Sequence, residues 1–315
     1  MVKALAVDLG GSHATCALVE DRTILDSRAV STSGTVGLGP ALPLIDETLK
    51  AIVSQAPAPV RDLAGVAFGF CGLVDYTRGR IVSTNAKYDD GPGLDLAAWC
   101  QGALGLPLKV DNDARLALLG EWYTGAARGF DDVVMITLGT GIGGAAMVQG
   151  RLFRGKHSQA GCLGGHLPVD FNGRICTCGA VGCAETEGST ASLPTVCRLT
   201  PGYESSALAR DEPVTFEKLF DHADAGDQIA AKIVDRCLRV WGAVAVALIH
   251  AYDPEVVVVG GGVMKRAARI LPFLHSYVER HAWTPWGKVK VCCARLGNDA
   301  ALLGAVPLLQ GLTDL

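Results

Sequence analysis

Long apolar runs are missing from this chain: its longest nearly apolar window, residues 240–249, is about half of what a helix needs to cross a bilayer. The opening stretch, MVKALAVDLGG, has an apolar part too short for a signal peptide. Positive charge is in short supply as well. With 28 Lys and Arg against 32 Asp and Glu, the net charge is −4, which argues against a surface built to neutralise nucleic-acid phosphates. Charged residues make up 19% and hydrophobic ones 49%, a balance that excludes a disordered or fibrous chain. The expected partners are therefore small molecules, with no nucleic acid and no membrane. At 315 residues the chain is long enough for two domains or lobes. Its 11 cysteines are an odd number behind no leader-like stretch, which favours a reducing cytoplasm over a disulfide framework.

The densest chemistry lies in residues 160–189, AGCLGGHLPVDFNGRICTCGAVGCAETEGS. His166, Cys176, Cys178, Cys183 and Glu185 fall within one loop's length. Three thiols and an imidazole suit a borderline-soft ion with four tetrahedral N/S ligands, and the glycines at 173, 179 and 182 let short loops fold back on it. Zinc is the expected metal. The Cys-x-Cys-x4-Cys spacing is not the usual two-knuckle pattern, and buried free cysteines are the alternative. Three cysteines within eight residues, set among Gly and Asn, make poor core sequence, which favours the metal.

Two other places repeat one design. Residues 3–19 read as two strands, KALAVDL and HATCALV, joined through Gly10, Gly11 and Ser12. An ordinary hairpin would look the same, except that Asp8 precedes the glycines. Exposed N–H groups in such a turn can cradle phosphate oxygens, and a neighbouring carboxylate can hold hydrated magnesium. Residues 133–138 feed Gly139, Thr140 and Gly141 and then a second strand. No Gly-Lys-Ser/Thr follows, so neither turn is a P-loop. The repetition suggests two lobes of related topology, each offering a turn to one nucleotide phosphate tail.

Between them, a short apolar run at 106–110 ends in Asp111-Asn112-Asp113 before a helical pattern. Asp113 is placed to cap that helix. The same position, at a strand's carboxyl end, is where open α/β sheets bind ligands, and there a carboxylate can take the proton of an attacking hydroxyl. Apolar spacing predicts a helix over 40–54 and two helices over 216–250, the second buried. A buried strand at 256–259 ends in Gly260-Gly261-Gly262, and a last strand is expected at 288–295. The polar residues of 192–217 assign themselves to nothing.

The pattern GH followed by C-x-C-G-x-x-G-C-x-E resembles the signature of the ROK family of repressors, uncharacterised frames and sugar kinases. Four further segments are similar to that family in the expected order: Asp8-Leu9-Gly10-Gly11-Ser12, Cys71-Gly72-Leu73-Val74-Asp75, Asn112-Asp113-Ala114 and the terminal Gly-Ala helix. The resemblance implies an α/β, two-lobed fold like that of the actin, hexokinase and Hsp70 ATPases (ribonuclease H-like), with an interlobe cleft. The smaller lobe would be residues 1–112 plus a C-terminal helix at about 300–315, and the larger lobe residues 113–299. It implies His166, Cys176, Cys178 and Cys183 as ligands of structural zinc. Asn85, Asn112, His166 and Glu185 would be sugar contacts, and Asp113 the catalytic base. Asp8, Gly10, Gly11, Ser12, Gly139, Thr140 and Gly141 would serve ATP phosphates and magnesium, and Gly261 and Gly262 the adenosine. Assembly as a homodimer or homotetramer is a further implication.

The expected activity is that of an ATP-dependent, glucokinase-like enzyme, phosphorylating a hexose at its 6-hydroxyl. One departure bears on the sugar. Members that bind glucose or N-acetylmannosamine read Gly-Glu-x-Gly-His before the metal histidine, whereas Cys162 and Leu163 flank that position here. Losing a charged acceptor costs about 1.5 to 3 kcal/mol of sugar binding. Allose, fructose, mannose or an N-acylhexosamine such as N-acetylmannosamine are therefore alternatives. A non-catalytic sugar-binding or regulatory role is the alternative of another class. It is disfavoured by the acidic charge, by a chain that opens on its first strand with no room for a helix-turn-helix, and by the presence of Asp8, Asp113 and both glycine turns.

Overall fold

The computed structural model describes residues 1–56, 62–84 and 86–314. The strands, in chain order, are β1 (Lys3–Leu9), β2 (His13–Glu20), β3 (Thr23–Ser31), β4 (Leu63–Phe70), β5 (Leu73–Asp75), β6 (Arg80–Ser83), β7 (Leu108–Asn112), β8 (Val133–Leu138), β9 (Ile142–Val148), β10 (Arg151–Leu152), β11 (Val256–Gly260) and β12 (Lys290–Cys293). The helices are α1 (Leu42–Ser54), α2 (Leu96–Leu104), α3 (Asp113–Thr124), α4 (Ala184–Gly188), α5 (Leu193–Leu199), α6 (Phe216–Asp224), α7 (Gln228–Tyr252), α8 (Ala267–His281), α9 (Ala300–Leu303) and α10 (Ala305–Gln310).

Two five-stranded sheets share one plan: the first runs β3-β2-β1-β4-β7 and the second β10-β9-β8-β11-β12. In the first, β1 and β2 and then β2 and β3 pair antiparallel, whereas β4 and β7 join in parallel. In the second, β10 and β9 are antiparallel, and β8, β11 and β12 are parallel. Residue pattern explains the places of the strands. Aliphatic β1, β4 and β11 are buried almost throughout and sit centrally, while β3 alternates exposed and half-buried residues as an edge strand with one wet face.

The chain forms two compact units, Met1–Asp131 with Ala146–Cys162 and Asn298–Leu315, and Asp132–Ala145 with Leu163–Gly297. In the first unit, α1 turns Leu42, Ile45, Leu49 and Ile52 inward at helical spacing onto a core that includes Phe68, Phe70 and Tyr88. Expectation put the lobe boundary at residue 112. Instead α3 belongs with the first unit, because small residues let the C-terminal helices approach it closely. A β-carbon on Gly120 would collide with the Ala300 carbonyl, and one on Gly304 with the Leu116 carbonyl. In the second unit, α7 buries Val234, Leu238, Trp241, Ala245 and Leu248, consistent with its long apolar pattern. The illegible 192–217 region contains α5 and short helical turns.

Candidate active site

In the first unit, β1 and β7 both carry their carboxylates at the carboxyl end. Asp8 pairs across the sheet with Gly69, and Gly69 with Asp111, one residue before Asn112. The turn after β1 is closed by the Gly10 N–H donating to the His13 carbonyl at 2.9 Å. Tyr88, three residues beyond Asn85, is fully buried. Its hydroxyl donates to the Gly10 carbonyl at 2.7 Å and lies 2.7 Å from Thr32 Oγ1. Its role is to latch the loop onto the turn. Asn85 itself lies outside the described residues.

The helix entry differs from the simplest reading. Asn112, not Asp113, caps α3, its Oδ1 accepting from the N–H groups of Ala114 at 3.1 Å and Arg115 at 3.3 Å. Its Nδ2 donates to the Gly72 carbonyl at 3.1 Å and to Asp113 Oδ1 at 2.9 Å. Asn112 thus braces Asp113 with the amide that was expected to touch sugar. Asp113 Oδ1 also accepts from the Ala114 N–H at 2.8 Å, so these two hydrogen bonds fall on one oxygen. Burial pushes the Asp113 carboxyl up to about 6, against the pull of the Ala114 amide and the Lys87 charge. Burial, and then the Asp113 charge, push Asp8 up to about 7. Two carboxyls poised near neutrality within electrostatic reach of each other mark a place built for proton or cation chemistry.

Below them runs an ion network that the sequence did not announce. Asp111, fully buried, accepts from Arg115 Nη1 at 3.1 Å and from Arg154 Nε at 2.8 Å. Arg115 Nη2 donates to the carbonyls of Ser158 at 3.0 Å and Ala160 at 2.7 Å. Arg154 reaches on to Asp314, which also accepts from the Tyr76 hydroxyl and Lys109. The guanidinium two residues after Asp113 therefore fixes the segment leading to Cys162. The Cys162 thiol is itself buried and donates to the Gln159 carbonyl at 3.3 Å.

In the second unit, His166 Nδ1 and the thiols of Cys176, Cys178 and Cys183 all lie within 4.8 Å of one another. Cys176 Sγ is 3.5 Å from His166 Nδ1, and Cys178 Sγ is 3.6 Å from Cys183 Sγ. A zinc tetrahedron built on Zn–S and Zn–N bonds of ordinary length has edges of about 3.5 to 3.8 Å, so the donor set fits that ion. Burial and the two neighbouring thiols push Cys183 up to about 12, while Cys176, opposed by burial but favoured by the Cys178 amide, Thr186 and His166, falls to about 6. Nδ1 is the ring nitrogen turned to the Cys176 sulfur, and Nε2 is the other.

Glycines set this loop against the second turn. A β-carbon on Gly165 would strike the Ile142 carbonyl, and one on Gly164 would stand 3.1 Å from the α-carbon of Gly144. Glu185 Oε2 accepts from the Ile142 N–H at 3.0 Å, so one oxygen of this expected sugar contact holds the turn. Glu187, buried, accepts from the Arg174 N–H at 3.1 Å and from Arg236 at 2.6 Å, bracing the metal loop. The Gly139 and Thr140 carbonyls accept from the N–H groups of Thr190 and Ala191, each at 3.0 Å. Gly261, at φ +93, lies so close to β8 that a β-carbon there would hit the Leu138 carbonyl. The structure thus brings Gly139–Gly141 and Gly261–Gly262 side by side, the two glycine stretches expected to serve the nucleotide.

Residues 4–311 match the family model described as ROK family. Among curated proteins, a glucokinase of Thermotoga maritima is 32% identical over 317 residues, covering 98% of each chain. Among solved structures, a ROK family glucokinase from Streptomyces griseus in complex with glucose and AMPPNP superposes with a TM-score of 0.79 at 29% identity, covering 98% of this chain and 99% of that one. A ROK family transcriptional regulator, a homolog of the E. coli MLC protein, gives a TM-score of 0.84 at 26% identity, covering 99% of this chain and 78% of that one.

Proposed function

The chain belongs to the ROK family, and from that premise we propose that it is an ATP-dependent hexose kinase, transferring the γ-phosphate of ATP to a sugar hydroxyl. The observation that carries this reading is the Asp113 carboxyl, fixed through one oxygen at the entry of α3 and pushed up to about 6. Such a group is mostly ionised at neutral pH and basic enough to take the proton as the sugar oxygen attacks. The 6-hydroxyl of glucose is the proposed acceptor, as in the glucokinase relatives. Cys162 and Leu163 offer no charged acceptor for the sugar ring, so allose, mannose, fructose and an N-acylhexosamine belong in the same test.

Phosphoryl transfer needs positioning and charge neutralisation more than covalent chemistry. The N–H groups of Gly11 and Ser12, with those of Thr140 and Gly141, suit phosphate oxygens, while the Gly10 and Gly139 N–H groups close their own turns. Asp8 is placed to hold a hydrated magnesium ion, which when bound supplies charge neutralisation at the phosphates. His166, held through Nδ1 by structural zinc, presents Nε2 to the sugar, with the Glu185 carboxylate as its proposed companion. The proposed setting is a reducing cytoplasm, in which Cys176, Cys178 and Cys183 would hold zinc and the other eight cysteines stay unbridged. No helix of the described residues is long and apolar enough to cross a membrane. A homodimer or homotetramer is proposed from family membership.

Coupled detection of ADP with ATP, magnesium and a dozen monosaccharides tests the reading. Sugar-dependent ADP release is expected for at least one hexose. Sugar binding without ADP release from any of them would replace the kinase with a binding protein.

A further inference from the structure

Lys87 entered neither the sequence pattern nor the family motifs, yet it stands over the first glycine turn. Its Cε and Nζ both lie 3.2 Å from where a β-carbon of residue 11 would be, and its own Cβ is 3.0 Å from the corresponding point on Gly34. Three hydrogen bonds fix the loop that carries it. The Tyr88 N–H donates to the Gly34 carbonyl at 2.6 Å, the Gly34 N–H donates to the Gly11 carbonyl at 3.1 Å, and the Tyr88 hydroxyl donates to the Gly10 carbonyl at 2.7 Å. Two residues flanking the site, Ala86 and Tyr88, have positive φ of 55° and 57°, a backbone that is strained for non-glycine residues and persists where the surroundings over-determine it. The ammonium is within electrostatic reach of Asp113 and of Cys71, whose acidities it raises.

We propose that Lys87 is a catalytic residue whose ammonium contacts the non-bridging oxygens of the terminal phosphate of ATP at the Gly10–Gly11–Ser12 turn. The proposal rests on the kinase reading and deepens it. A flexible four-carbon stem brings a point charge to the turn, where charge on the transferred group must be neutralised. It also gives Gly11 a reason. Its φ is not in the left-handed region, so alanine fits the backbone there, but the methyl group would take the space of the Lys87 tip.

The test measures binding of ADP and of AMPPNP by calorimetry, with magnesium, for the wild type, Lys87→Met, Lys87→Arg and Gly11→Ala. For Lys87→Met the preference for AMPPNP over ADP is expected to fall about tenfold, since a charge-assisted contact is lost only where a third phosphate exists. Its kcat should fall about 100-fold with little change in sugar KM. Lys87→Arg should recover most of both, and Gly11→Ala should weaken the preference in the direction of Lys87→Met. A wild type that prefers AMPPNP beside a Lys87→Met variant that does so equally, with wild-type kcat, overturns the role of Lys87 alone. Loss of activity in Lys87→Met with an unchanged nucleotide preference and no recovery in Lys87→Arg would make the residue structural and also overturn it. A wild type that binds neither nucleotide overturns the kinase reading, and this proposal with it.

Discussion

Around Gly10–Gly11–Ser12 the chain collects two carboxylates and an ammonium; around Gly139–Thr140–Gly141 it collects backbone and the Glu185 carboxylate. Both turns follow the first strand of an identically ordered sheet. Counting back two residues from the leading glycine gives Asp8 in one and Thr137 in the other. Asp8 sits near Asp113, and both are pushed up by burial. The second turn is held by Glu185 at Ile142, by the N–H groups of Thr190 and Ala191, and by the close pass of Gly261. A repeated topology therefore need not repeat a function. Under the proposed function the first turn serves the reacting phosphate, and the second is proposed to serve the rest of the nucleotide.

The largest test of this contrast falls on the second unit. Zinc binding is expected to order the loop of residues 166–188 by on the order of 10 kcal/mol. Elemental analysis should find one zinc per chain. A chelator, or Cys183→Ser, should lower the melting temperature and raise hydrogen exchange in that loop first; an unchanged melt on chelation would remove the metal from the account. The next test compares the two equivalent positions. Asp8→Asn should lower kcat about 100-fold, whereas Thr137→Val should change it by less than about threefold; equal losses would erase the distinction between the turns.

The smallest expected effect is on pH dependence. Asp113 and Asp8 take up protons near 6 and near 7, and as a coupled pair they titrate together. A base must be ionised to act, so kcat/KM should decline as pH falls through 7 to 6. For unperturbed carboxyls the decline would begin near about 4. An acid limb at that lower value would show that burial does not set the site's working range.

Much of this arrangement is legible in the residues because it is local. Short aliphatic runs closed by glycine form strands and turns whatever surrounds them, and β1, β2, β4 and β8 fall where the pattern puts them. Three cysteines and a histidine announce a metal by chemistry alone. What escapes is decided at a distance. Asp111-Asn112-Asp113 offers three short acceptors, and only the approach of the Gly72 carbonyl, with Asp111 committed to Arg115 and Arg154, makes Asn112 rather than Asp113 the cap. The place of α3 in the first unit follows from contacts at Gly120 and Gly304, far apart in sequence. Tyr88 and Lys87 lie in a polar, turn-rich stretch without helical or strand periodicity, and only the fold turns them onto the first glycine turn.

The most direct measurement pairs turnover with sugar binding in Asp113→Asn, using whichever hexose the wild type phosphorylates. The account predicts that the variant binds the sugar with near wild-type affinity and melts at a similar temperature, while kcat falls by about 100-fold to 10,000-fold. Turnover within a few-fold of the wild type would contradict it, because the proton would then leave the sugar hydroxyl without this carboxylate.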